Sequence, residues 1–305
     1  MGAGAGRDRS SVGPVFAGFV VLVVLAGGNA VAIRVVNREL EPLWGATLRF
    51  SLAAVSFGVI VLAFGLPTPA PQARLGAALY GVLFFGIGFG LVHWSLTDVG
   101  AGLAQTLLAA TPLFTVALAW AQRLESLRWS AVAGSGFALG GVALIFSRAL
   151  TDAVPKMSVL AVVAAAACWA QAGIVVKRFP PTHPAWMNMI AMTVGTFGVF
   201  AAALLRGETL SAPREAATRM AIAYLVVPGT LAVFGLYVFV LRHWDASVAS
   251  FQLVLIPLVA VPVSAWIDDE PITLVFLAGA SLVLAGAYLA LRRPAERSTR
   301  VADTI

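Results

Sequence analysis

The stretch AGLAQTLLAATPLFTVALAWAQRLESLRWSAVAGSGFALGGVAL, residues 101–144, returns without a gap at 246–289 as ASVASFQLVLIPLVAVPVSAWIDDEPITLVFLAGASLVLAGAYL. The offset is 145 positions. Pro112-Leu113 meets Pro257-Leu258, Glu125 meets Glu270, Gly134 meets Gly279 and Gly141 meets Gly286. Roughly a quarter of the aligned positions match, and they fall on prolines, glycines and one acid, residues whose shape or charge constrains a backbone. A repeat of this kind decides the architecture before any single motif does.

The surroundings of the repeat are apolar. Hydrophobic residues make up 60% of the 305, and charged residues 11%, against about 25% in a soluble domain. The mean hydropathy is +0.92. A soluble chain of this length could not bury so much apolar surface, so the bilayer is the solvent. One cysteine, Cys168, excludes an intrachain disulfide and a multi-cysteine metal site. The net charge of +6 is a matter of loop placement and does not indicate a nucleic-acid surface.

Ten apolar runs of bilayer length are expected near 14–33, 44–64, 75–95, 101–121, 129–147, 158–176, 185–204, 220–241, 246–266 and 272–291. They do not alternate with period two, so they are helices and not barrel strands. The first run exceeds the length of a signal-peptide core, about 7–15 residues, and is read as retained. Of the 20 lysines and arginines, twelve fall in loops on the side of the N-terminus and seven on the other. Arg49 falls inside a run. That bias places both termini in the cytoplasm of a cell (inner) membrane. Five helices per copy is an odd number, so the second copy enters the membrane inverted. The expected fold is an all-α integral membrane protein of ten transmembrane helices in two inverted five-helix repeats, 14–147 and 158–291. A linker at 148–157 joins them, and cytoplasmic tails lie at 1–13 and 292–305.

With its Pro112 … Glu125 … Gly134 … Gly140-Gly141 pattern, echoed by Pro257 … Glu270 … Gly279 … Gly286, the chain resembles EamA-type transporters of the drug/metabolite transporter (DMT) superfamily. Pro42 … Leu48-Arg49-Phe50 is similar to the family's second helix with its Arg. The second half departs from this, with Ala191-Met192 near the equivalent place. The resemblance covers nearly all of 14–291. It implies ten helices, cytoplasmic termini and transport of small metabolites, often export of amino acids.

Polar groups within apolar runs are the candidate substrate contacts, because each is costly in lipid unless it faces protein or water. Asn29, Arg49, His93 and Gln105 fall toward one side of the membrane, and Gln171, Asn188, Tyr237 and Gln252 toward the other. Trp169, the one tryptophan far from a helix end, is a candidate for stacking on a substrate or for packing between helices. Arg49 is read either as an anchor for a substrate anion or as a donor to nearby carbonyls. Pro112 and Pro257 are expected as mid-helix hinges. Glu125 and Glu270 are expected to cap the last helix of each copy. Gly136xxxGly140, the Gly134/Gly141 pair and Gly279 with Gly286 mark close helix packing in the fifth and tenth helices. No carboxylate lies inside a run, so stoichiometric proton coupling is not expected, with His93 the one titratable alternative.

The sequence therefore points to a secondary transporter, an exporter of small organic metabolites with amino acids favoured. Its partners are a small-molecule substrate and membrane lipid, with no nucleic acid. A monomer and a homodimer both remain open. A nucleotide-sugar or phosphorylated-metabolite exchanger would want several cationic groups along the path, and a broad-specificity drug exporter is the other rival. Scattered His93, His183 and His243 give no catalytic set, metal site or cofactor site.

Overall fold

The computed structural model describes residues 12–95, 98–99, 101–147, 155–268 and 272–291. Every regular element among them is a helix. In chain order these are α1 (Val12–Val36), α2 (Pro42–Ala63), α3 (Pro71–Ser95), a two-part α4 (Ala101–Leu108 and Thr111–Ala121) and α5 (Trp129–Ile145). There follow α6 (Lys156–Arg178), α7 (Pro184–Leu205), α8 (Ala216–His243), a two-part α9 (Ala246–Ala249 and Gln252–Asp268) and α10 (Leu274–Leu291). Eight are long and apolar enough to cross a membrane, while α5 and α10 are shorter apolar helices. The 148–154 segment, Glu270 and Pro271 lie outside the described residues.

Local chemistry sets the ends. Pro42, Pro71 and Pro184 open α2, α3 and α7, where a missing N–H costs nothing and the fixed φ suits the helix. Just beyond the ends of α2 and α7 stand Gly65 (φ 55°) and Gly207 (φ 70°), left-handed positions that glycine occupies without a Cβ penalty.

The contacts between elements exchange in pairs when the two copies are interchanged. α5 packs along α10 and α2 along α7. α1 packs on α8 and α9, and α6 on α3 and α4. The α5–α10 contact is backbone against backbone. A Cβ at Gly134 would stand 2.5 Å from the Gly286 carbonyl, and one at Gly141 would stand 2.6 Å from that of Gly279. The expected packing of these two helices holds, but through the seven-residue glycine rows. Gly136 and Gly140, read from sequence as part of the same stripe, have nothing within 4 Å of an added Cβ.

Two features were not anticipated. A π-helical turn interrupts α3 at Val82–Gly88 and α8 at Val227–Ala232, and the two begin 145 residues apart. Such a turn shifts the hydrogen-bond register from i→i+4 to i→i+5 and occurs frequently at functional sites. The second concerns the proline hinges. Pro112 lies not mid-helix but in the first turn of Thr111–Ala121, after a break at 109–110. The break satisfies proline's lack of an N–H in the cheapest way. Pro257 does lie inside its helix, together with Pro262.

Candidate functional site

Carbonyls of these two turns organise the interior. Phe84 in α3 and Gly229 in α8 stand 145 residues apart, and each carbonyl is taken by a side chain from the first helix of the other copy. Trp169 of α6 donates Nε1 to the Phe84 carbonyl at 3.0 Å. Asn29 of α1 donates Nδ2 to the Gly229 carbonyl, also at 3.0 Å. The second site has an additional donor. Arg49 of α2 gives Nη2 to the Gly229 carbonyl at 2.8 Å and Nε to Thr230 Oγ1 at 2.7 Å. Its guanidinium lies 5.2 Å from the centroid of the Phe50 ring. Arg49 is 5% exposed, so these bonds repay part of the cost of placing a charge at this depth. A Cβ at 229 would overlap the Asn29 amide, so glycine there leaves room for this tether.

Equivalent positions across the repeat explain why one site is polar and open and the other apolar and closed. Pro42 and Trp44 of α2 align with Pro184 and Trp186 of α7. Their indoles donate to matching loop carbonyls, Trp44 to Ser211 at 2.7 Å and Trp186 to Leu66 at 3.2 Å. In that register Ala191 stands where α2 has Arg49. α7 consequently packs directly on the π-helical turn of α3, where a Cβ at Gly81 would strike the Ala191 backbone and one at Gly195 would strike Phe85. Aromatic rings fill the remaining space. Phe84 stacks on Trp169 at 5.2 Å and meets Phe234 at 5.6 Å and Tyr237 at 6.2 Å.

Beside Arg49, by contrast, there is a cleft. A vestibule of about 440 Å³ is lined by Ile33, Asn37, Glu41, Pro42, His93, Arg206 and Glu208. Below it, a pocket of about 20 Å³, room for one water or a methyl group, reaches Arg49, Phe50, Phe89 and Leu225. Glu208 accepts from the backbone N–H groups of Leu43 (3.2 Å) and Trp44 (2.7 Å) and so caps α2 from the other copy. Glu39 does the same for α8, accepting from Arg214 and Glu215 N–H.

The opposite face is fastened. Glu125 accepts from Ala246 N (2.7 Å), Ser247 N (3.3 Å) and Ser247 Oγ. Arg128 approaches Asp245 at 3.8 Å, and Arg178, Gln122 and Gln171 form a hydrogen-bonded chain between α6 and the end of α4. Trp244 packs on Phe19 at 5.2 Å. Glu125 is thus a helix cap, as expected, but of α9 and not of α5, whose N-cap Arg128 makes no side-chain cap bond. The acid binds the N-terminus that the fold brings to it, and the sequentially next helix has no claim on it.

The residues singled out from sequence therefore separate into groups. Asn29, Arg49 and His93 gather at the vestibule and the Gly229 carbonyl. Trp169 and Tyr237 meet around Phe84. Asn188, fully buried, donates to the Pro184 and Phe234 carbonyls, both at 3.1 Å. Gln171 belongs to the fastened face. Gln105 is exposed and Gln252 buried, and neither lines the vestibule. Asn37, Glu41, Arg206 and Glu208, which also line the vestibule, are not among the residues singled out from sequence. The signal available was the run Leu205-Arg206-Gly207-Glu208, a helix stop with charges on either side of a left-handed glycine.

Many apolar helices long enough for a bilayer, polar tethers between two copies and an accessible cleft define a multi-pass membrane transporter. The EamA-like transporter family model matches residues 14–147 and again 156–292, and the chain belongs to that family. An uncharacterized inner membrane transporter, YedA, of Escherichia coli (strain K12) is 25% identical over 293 residues, 92% of this chain and 94% of that one. A probable amino-acid metabolite efflux pump of the same strain is 26% identical, over 88% and 92% of the two chains. A probable terminal-alkyne amino-acid exporter of Streptantibioticus cattleyicolor is also 26% identical, over 80% and 82%. A solved crystal structure with 18% identity superposes at a TM-score of 0.76 over 91% of this chain and 98% of its own, a likeness of fold.

Proposed function

We propose that this chain is an inner-membrane exporter of small organic metabolites, amino acids first among them, working by alternating access. In this reading 14–147 and 158–291 are inverted five-helix repeats joined by 148–157, with the tails 1–13 and 292–305 in the cytoplasm. The observation that carries it is the inequality of the two faces: an open vestibule on one, a Glu125 latch on the other. With the N-terminus inside, the vestibule faces outward and the latch closes the cytoplasmic side. The exchangeable helix contacts support two copies that can trade conformations, and relatives named as amino-acid exporters support the substrate class.

Arg49 and Asn29 act in this scheme as pins on the Gly229 carbonyl, while His93 lines the path. Trp169, Tyr237 and Asn188 form the plug that must loosen when the inner side opens, and Gln171 parts from Gln122. Gln105 and Gln252 come into contact with substrate only in other states, and the breaks near Pro112 and Pro257 are where α4 and α9 bend. A phosphorylated substrate is disfavoured, because Glu41 and Glu208 share the vestibule with Arg206.

The test is counterflow in proteoliposomes loaded with a mixed amino-acid pool, with and without an imposed pH gradient. One or a few amino acids should exchange, unaffected by the gradient. Folded protein that moves no amino acid would sink the substrate class, and gradient-driven uptake lost in His93→Ala would replace exchange with proton coupling.

A further inference from the structure

The N-terminus of α2 carries two carboxylates and uses one. Glu41 is its N-cap residue, yet the Glu41 side chain makes no cap bond. Glu208, 165 residues away in sequence from Leu43, holds the N–H groups of Leu43 and Trp44 instead. The Glu41 carboxylate is left exposed on the vestibule wall. Across the same opening stands Arg206, the C-cap of α7, also exposed. Among the described residues neither side chain has a hydrogen bond or an ion pair, and the two do not pair with each other. An anion and a cation held apart in one small cavity, with backbone devices fixing each, present complementary charge to a molecule that bears both signs. Asn37 adds an amide to the same lining, and the adjoining pocket is walled by Ile33, Phe50, Phe89 and Leu225.

We infer that Glu41 and Arg206 form a zwitterion clamp, Glu41 taking the α-ammonium and Arg206 the α-carboxylate of a small neutral amino acid, with its side chain directed at the apolar pocket. Arg49 is not the carboxylate anchor, because two of its nitrogens are committed to Gly229 and Thr230. The inference rests on the transport reading above but adds the polarity of recognition.

The experiment uses full-length protein in proteoliposomes exchanging radiolabelled L-alanine, with unlabelled L-alanine, L-alaninamide (ammonium only) and propionate (carboxylate only) as competitors. Wild type should be inhibited by L-alanine at concentrations at least tenfold below those of either single-charge analogue. Glu41→Gln should lose the advantage of L-alanine over propionate, and Arg206→Gln the advantage over L-alaninamide. Each variant's elution volume and melting temperature in detergent control for folding. If exchange persists and both variants discriminate as wild type does, the clamp is overturned while the transporter reading stands. If wild type neither exchanges these amino acids nor is thermally stabilised by them, the amino-acid reading falls and takes the clamp with it.

Discussion

The junction of α2 with α8 and the junction of α7 with α3 are built on one plan and filled in opposite ways. Both have a tryptophan two residues after the opening proline, a π-helical turn in the partner and a carbonyl of that turn that accepts a side chain from the other copy. At the α2 junction Arg49 reaches the carbonyl, and its long side chain keeps the helices apart, with the vestibule beside it. At the α7 junction Ala191 lets the helices touch, backbone to Gly81, and Trp169 bonds the carbonyl. The same scaffold is therefore open or sealed according to the volume and hydrogen-bonding capacity of one position. Small residues permit contact in lipid, whereas a buried arginine demands donors' partners and space.

Removing the arginine should break this contrast most. Arg49→Ala leaves Thr230 Oγ1 without its donor and Gly229 with Asn29 alone. Hydrogen bonds to a charged group contribute about 1.5–3 kcal/mol each, so a loss of about 3 kcal/mol in stability and at least tenfold in counterflow is expected. Thermal unfolding and transport assays check it, and a variant equal to wild type in both would refute the pinning role.

Tightening the sealed junction comes next. Gly81→Ala pushes a methyl into the Ala191 backbone, an overpacking that costs about 1–3 kcal/mol, and Gly141→Ala should cost as much at the α5–α10 contact. Melting temperatures of the two variants measure this, and unchanged values would show that these helices are not in contact.

The latch on the fastened face gives a smaller effect. Glu125→Gln keeps one acceptor but loses the charge at the α9 N-terminus, about 1 kcal/mol, a several-fold shift toward the state open on that face. A cysteine introduced at Leu241, fully buried here, should react several times faster with a membrane-impermeant maleimide in that background. Equal rates would assign Glu125 a purely local role.

Least of all should change at Gly140→Ala and Gly90→Ala, where a Cβ meets nothing within 4 Å. Stability within about 0.5 kcal/mol of wild type is expected. A larger loss at Gly140 would restore the GxxxG stripe as a packing face and point to a contact between two molecules of this protein.

Much of this was legible beforehand because it is local or periodic. Helix positions follow from runs of apolar residues, their ends from prolines and glycines, and the close packing of α5 and α10, though not which partner each takes, from glycine rows repeated 145 residues apart. Arg49 stood out as the one strongly ionised side chain in an apolar run. Its role did not, because the sequence left both a substrate anion and nearby backbone carbonyls open as partners. Glu125 was recognisable as a cap from its acidity and setting, but the helix it caps begins 121 residues later.

Sequence by itself determined the membrane, the helices and the repeat, since these depend on hydropathy and on backbone-constraining residues that act where they stand. Tertiary structure alone decided which carbonyls of the π-helical turns accept side chains, which donors from the other copy reach them, and that Glu208 rather than Glu41 caps α2. Those outcomes depend on distances of a few ångströms between elements more than a hundred residues apart, and no local pattern encodes them.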